Sequence, residues 1–119
     1  MNQKADPSLA PYFEAIAGKK ASRVVALDVR NLSSVADTFI ICSGRSSRQV
    51  SAIGEHVRFT LKEKGIRPLH HEGLKEGHWV LLDYGHVIIH IFHEPVRDFY
   101  DLEGLWSDAP RLEPWGGSR

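Results

Sequence analysis

Cysteine is almost absent: Cys42 is the only one in 119 residues. An intramolecular disulfide and any zinc site built on cysteines are excluded, and a reducing compartment fits. Long apolar runs are missing too, since no stretch approaches the ~18 residues that cross a bilayer. The opening MNQKADPSLAPYFEAIAGKK has neither an apolar signal core nor the arginine density of a transit peptide, so the expected location is cytoplasmic. Charge of one sign is lacking as well: 15 basic and 15 acidic residues cancel. A chain that gripped nucleic acid by neutralising phosphates would be basic, so no direct nucleic-acid binding is expected. Binding to a protein within a nucleoprotein particle stays open. There are no internal repeats.

What is present is a normal core supply, with 42% hydrophobic residues, in a length that suits one domain. The most informative stretch is GHWVLLDYGHVIIHIFHE, from Gly77 to Glu94. Gly85 supplies the positive φ of a tight turn, so the stretch reads as a β-hairpin. Pairing Asp83 with His86 sets Leu82 opposite Val87, Val80 opposite Ile89 and Trp79 opposite His90. Alternation then gives two faces. Val80, Leu82, Val87, Ile89 and Ile91 form a purely apolar core face. Trp79, Leu81, Asp83, His86, Ile88, His90 and Phe92 form a mixed one. Two readings fit the mixed face: a surface that meets another macromolecule, or a face covered by a helix with its histidines satisfied internally.

The rest of the chain falls into a simple order. Met1 to Pro7 reads as frayed. Ser8 caps a helix whose buried stripe is Tyr12, Phe13, Ile16 and Ala17, ended by Gly18. Arg23 to Val29 is a strand, and Thr38 to Cys42 (TFIIC) is a central strand buried on both sides. Ser46 with Gln49 matches a capping box. The helix it opens carries the stripe Val50, Ile53, Val57 and Leu61, with Gly65 just past its end. Ile66 to Glu72 reads as a short edge strand or a loop, since Pro68 keeps it out of the sheet interior. A further helix starts near Pro95 and carries an aromatic segment from Val96 to Trp106. The expected fold is one α/β domain, residues 1–110, with a mixed sheet of four or five strands packed with helices. Residues 111–119 form a flexible tail.

Candidate chemistry is sparse. The Ser43-Gly44-Arg45-Ser46-Ser47 turn joins a strand to a helix N-terminus, where free amides favour anions. It lacks the Walker and G-x-G-x-x-G patterns. It resembles the turn of nucleotidyltransferases, but those enzymes need closely spaced carboxylates to hold metal. Asp83 and Asp101 have no such partner, so a capping turn is the expected role. The seven histidines do not converge: His86 and His90 lie about 13 Å apart on a regular strand, and there is no H-E-x-x-H. Cys42 reads as a small buried residue. No cofactor, metal site or catalytic residue is expected. Glu94, Arg97, Asp98, Asp101 and Glu103 read as a solvated face or as a polar rim around the mixed patch.

Three segments carry a resemblance: ADTFIICSGRSSRQVSAI (Ala36 to Ile53), HHEGLKEGHWVLLDYGHVIIHIF (His70 to Phe92) and RDFYDLEGLWSDAP (Arg97 to Pro110). In this order they closely resemble the ribosomal silencing factor, or Iojap, family, from about Val24 to Pro110. The resemblance implies a fold similar to nucleotidyltransferases without the catalytic carboxylates, and a protein that is not an enzyme. It implies binding to the large ribosomal subunit through the ribosomal protein numbered fourteen, a steric block of joining with the small subunit, and repression of translation. It also implies a homodimer. His86 departs from the acidic residue expected after the turn glycine, and the tail after Pro110 is not a family feature. On this reading Trp79, Leu81, Ile88, His90 and Phe92 are partner-binding, with Asp83, Tyr84, Glu94 and Arg97 around them. The rival class is a metal-dependent nucleotidyltransferase-like enzyme using Gly44, Ser46 and Asp83.

Overall fold

A computed structural model describes residues 2–113. It contains seven strands: β1 (Asn2–Lys4), β2 (Ser22–Asp28), β3 (Thr38–Gly44), β4 (His70–Glu72), β5 (Trp79–Asp83), β6 (Val87–His93) and β7 (Arg111–Glu113). The helices are α1 (Ala10–Ala17), α2 (Ser47–Glu63), α3 (Glu94–Tyr100) and α4 (Leu102–Leu105). All seven strands form one mixed sheet in the order β1-β7-β2-β3-β6-β5-β4. The α/β class holds, but the expected four or five strands become seven. The extra ones are three-residue strands: Asn2–Lys4, read as frayed, pairs in parallel with Arg111–Glu113, read as tail. Such short pieces carry no readable alternation: β1 exists because β7 offers it a backbone partner, and β7 is held between β1 and the edge of β2. The rest of the expected tail lies outside the described residues.

β3 is buried at every position, between antiparallel β2 and parallel β6, as its continuous apolar run requires. Helices cover both faces. On one side α1 and α2 press Tyr12, Phe13, Ile16, Val50, Ile53, Val57 and Leu61 onto Ile40, Val80, Leu82, Ile89 and Ile91. On the other, Val96, Leu102, Trp106 and Ala109 pack on Leu27, Phe39, Ile41, Ile88 and Phe92. The first helix differs in detail. Asp6, not Ser8, caps the preceding 3-10 turn by accepting from the Ser8 N–H. Ala15 is buried, whereas Ala17 is exposed.

The Ser43 to Ser47 turn is a cap. Ser46 Oγ accepts from the Gln49 N–H at 3.1 Å, and Gln49 Oε1 reaches back to the Arg45 N–H at 2.6 Å. The reciprocal bond thus lands one residue before the capping serine.

The hairpin register is displaced from the expected one. Trp79 faces Phe92, Leu81 faces His90 and Asp83 faces Ile88. The Tyr84 N–H bonds the Val87 carbonyl, so Gly85 and His86 are the loop. Two local forces explain this. Asp83 Oδ1 accepts from the Gly85 N–H at 2.8 Å. Tyr84 also prolongs the core face, where its ring meets that of Tyr12 edge-on at 5.5 Å. The displacement is even, so Val80, Leu82, Ile89 and Ile91 keep the core face.

Candidate docking surface

The mixed face of the hairpin is largely covered. Ile88, His90 and Phe92 are buried beneath α3, α4 and the loop that follows. The aromatic rings form a chain across it. Trp79 lies 4.7 Å from Phe92 and 5.0 Å from Tyr100, and Phe39 meets Trp106 edge-on at 5.3 Å. His90 is wedged against Phe39. Its Nδ1 accepts from the Trp79 indole N–H at 3.1 Å, while its Nε2 is buried with no hydrogen-bond partner among the described residues. Burial pushes its pKa down from 6.5 to about 4, because a charged imidazole there would lose its hydration.

What holds the cover down is Arg97, only 1% exposed. Its guanidinium donates to Ser43 Oγ at 2.7 Å and to the Arg23 carbonyl at 2.8 Å. It also grips both carboxylate oxygens of Glu103, at 3.1 and 2.8 Å. That fork holds the Glu103 carboxyl below its usual pKa. Arg23 sits at a bulge in β2 with φ +51°, which turns its carbonyl toward α3. Its side chain pairs with Glu94 and Asp98. Asp101 adopts the left-handed conformation at the α3–α4 junction, and its carboxylate caps α4 through the Gly104 N–H.

Several expected site residues are therefore not surface anchors of the isolated chain. Ile88, His90 and Phe92 are core residues, because a third layer closes over that face. Tyr84 belongs to the opposite face, where burial raises its phenol to about 12. Arg97 is a buried clamp rather than a rim charge, and Glu94 is ion-paired with Arg23. Asp83 caps the turn at the far end of the sheet. It is level with Phe39, whereas Gly44 ends β3. At the usual strand rise that separation is roughly 16 Å, so Gly44, Ser46 and Asp83 do not form one site.

Trp79 and Leu81 remain half-exposed. Beside Trp79 lie residues that the hairpin reading left out. Phe99 is 80% exposed and Tyr100 is 49% exposed. With His78, Trp79, Pro95 and Val96 they line an apolar groove of about 390 Å³. The signal was available: Phe99 and Tyr100 are adjacent, and one face of a helix cannot bury both. Among the described residues no three His, Cys, Asp or Glu side chains cluster as a metal site, and no helix is long and apolar enough to cross a membrane. Cys42 is buried, and its thiol is pushed up to about 12.

The family model described as "Ribosomal silencing factor during starvation" matches residues 2–116. This chain belongs to that family. The ribosomal silencing factor of Bacillus subtilis is 44% identical over 110 residues, covering 92% of each chain. The chloroplastic Iojap protein of Arabidopsis thaliana is 37% identical over 94 residues, 79% of this chain and 39% of the plant protein. A Bacillus halodurans crystal structure superposes with a TM-score of 0.79 at 39% identity, covering 90% of this chain and 97% of that one. Members of the silencing family are regulatory proteins rather than enzymes, and the expectation of a silencing factor stands.

Proposed function

We propose that this chain represses translation by occupying the large ribosomal subunit and keeping the small subunit from joining it. The observation that carries the reading is family membership across nearly the whole chain. Contact is made with the ribosomal protein numbered fourteen, through the half-exposed Trp79 and Leu81 and the aromatic ridge of Phe99 and Tyr100. Exposed aromatics rimmed by charge are the usual energetic centre of a protein interface. Asp98 and the Glu94–Arg23 pair supply the rim. Silencing is by occupancy: no bond is made or broken, and the fold is nucleotidyltransferase-like without the carboxylates such enzymes use. When free, the chain buries the same ridge in a second copy as a homodimer. Its place of action is the cytoplasm, where subunits meet.

The test is a subunit-joining assay read by sucrose gradient. Chain added before the small subunit inhibits joining more than chain added after it. The large subunit alone carries the chain in sedimentation, and Phe99→Ala weakens that binding about thirtyfold, as loss of an anchor near 2 kcal/mol implies. Saturation of the large subunit with unchanged joining would refute the mechanism and leave only binding.

A further inference from the structure

On the other side of the sheet from the aromatic ridge, the second half of α2 and the segment 67–71 enclose a groove of about 520 Å³. That volume is typical of a small-molecule site. Arg58, Lys62 and Arg67 line it with fixed positive charge, although the chain as a whole is neutral. Glu55, the one carboxylate in the lining, is paired with Arg58 Nη1 at 3.1 Å. Lys62 and Arg67 have no ion-pair partner among the described residues, and Arg58 Nε is buried without a hydrogen-bond partner. The charge excess is therefore local and uncompensated.

The same groove displays an aromatic ring. Phe59 is 60% exposed and Leu69 is 77% exposed, both facing this space. The core has no use for Phe59, since α2 buries Val50, Ile53, Val57 and Leu61 instead. Phe59 stands on α2 next to Arg58 and three residues before Lys62, so ring and cations share one stretch of helix. Cations beside an open aromatic face suit a ligand that joins phosphates to a planar base.

We propose that this groove binds a phosphorylated nucleoside, either free or within a single strand of RNA. Lys62, Arg67 and Arg58 neutralise the phosphates, and Phe59 stacks on the base. The site is separate from the docking ridge and from the capped Ser43 to Ser47 turn.

The test titrates the full chain with ATP, a short oligoadenylate and pyrophosphate at low salt, by calorimetry. Lys62, Arg67 and Phe59 are exposed, so variants there retain the native melting profile. ATP or the oligoadenylate binds saturably. Lys62→Glu with Arg67→Glu weakens binding tenfold or more, roughly two lost charge contacts. Phe59→Ala weakens ATP or oligoadenylate roughly fivefold or more, and leaves pyrophosphate unchanged. Tighter binding of ATP identifies a free nucleotide; tighter binding of the oligoadenylate identifies a strand. The proposal is overturned if neither binds with a Kd below about 1 mM. It is equally overturned if the groove variants bind like wild type, or if binding is lost with Arg45→Glu and Arg48→Glu at the capping turn instead.

Discussion

The indole N–H of Trp79 donates to Nδ1 of His90 across β5 and β6, at 3.1 Å. This bond fixes the imidazole as the neutral tautomer protonated on Nε2. It also ties a half-exposed member of the aromatic ridge to a residue buried at the centre of the sheet. Phe39 and Phe92 flank the imidazole, and among the described residues no charged group is placed to stabilise a proton on it.

Stability should therefore fall with acid in a defined window. The folded pKa of His90 is depressed to about 4 from 6.5, so the unfolded chain takes up the proton first. The contribution is fully present above pH 6.5 and is lost as pH falls from there toward 4. It amounts to about 3 kcal/mol. Urea unfolding at stepped pH checks this, and His90→Phe should remove that step. A second loss, from Glu103, begins only below its ordinary value of 4.5, because Arg97 holds that carboxyl lower still.

Arg97 should tolerate no substitution. Arg97→Ala leaves Glu103 and Ser43 without their shared donor and loses about 3–5 kcal/mol. Arg97→Lys keeps the charge but cannot fork to Glu103 while reaching Ser43 and the Arg23 carbonyl, so it should also lose most of that stability. Equal denaturant midpoints for Arg97→Lys and wild type would show that charge alone suffices.

Phe92→Asp and Phe99→Asp should fail differently. Phe92 is fully buried, and an unpaired carboxylate there costs several kcal/mol, enough to unfold a domain of ordinary stability. Phe99→Asp should melt like wild type yet lose both the second copy and the large subunit. Sedimentation of each folded variant distinguishes the outcomes. Trp79→Asp falls between them, since Trp79 packs on Phe92 and Tyr100.

Two glycines separate backbone strain from collision. Gly65 has φ +80° with open space around it, so Gly65→Ala should lose about 1 kcal/mol. Gly77 has φ +72°, and a Cβ there would sit 2.1 Å from the Ser47 carbonyl oxygen. Gly77→Ala should lose roughly 3 kcal/mol, as strain and overpacking add. Thermal melts of the pair give the comparison.

Sequence alone determined the elements whose signal is local. TFIIC, with no polar interruption, could only be a strand covered on both faces. The stripe Val50, Ile53, Val57 and Leu61 fixed the buried side of α2. Strict alternation assigned Val80, Leu82, Ile89 and Ile91 to the core, and the displacement of the register, being even, left those faces unchanged. Three segments standing in the family's order carried the resemblance that placed the chain among silencing factors. Tertiary structure decided the rest. Whether the face of Ile88, His90 and Phe92 is open or covered depends on where α3 and α4 land, and that depends on Arg97 reaching Ser43 and Arg23 far back in the chain. β1 and β7 form only where the two ends of the chain meet beside β2. A polar residue such as Arg97 reads as surface until several distant acceptors are brought around it, because burying a charge is favourable only when folding supplies all of its partners at once.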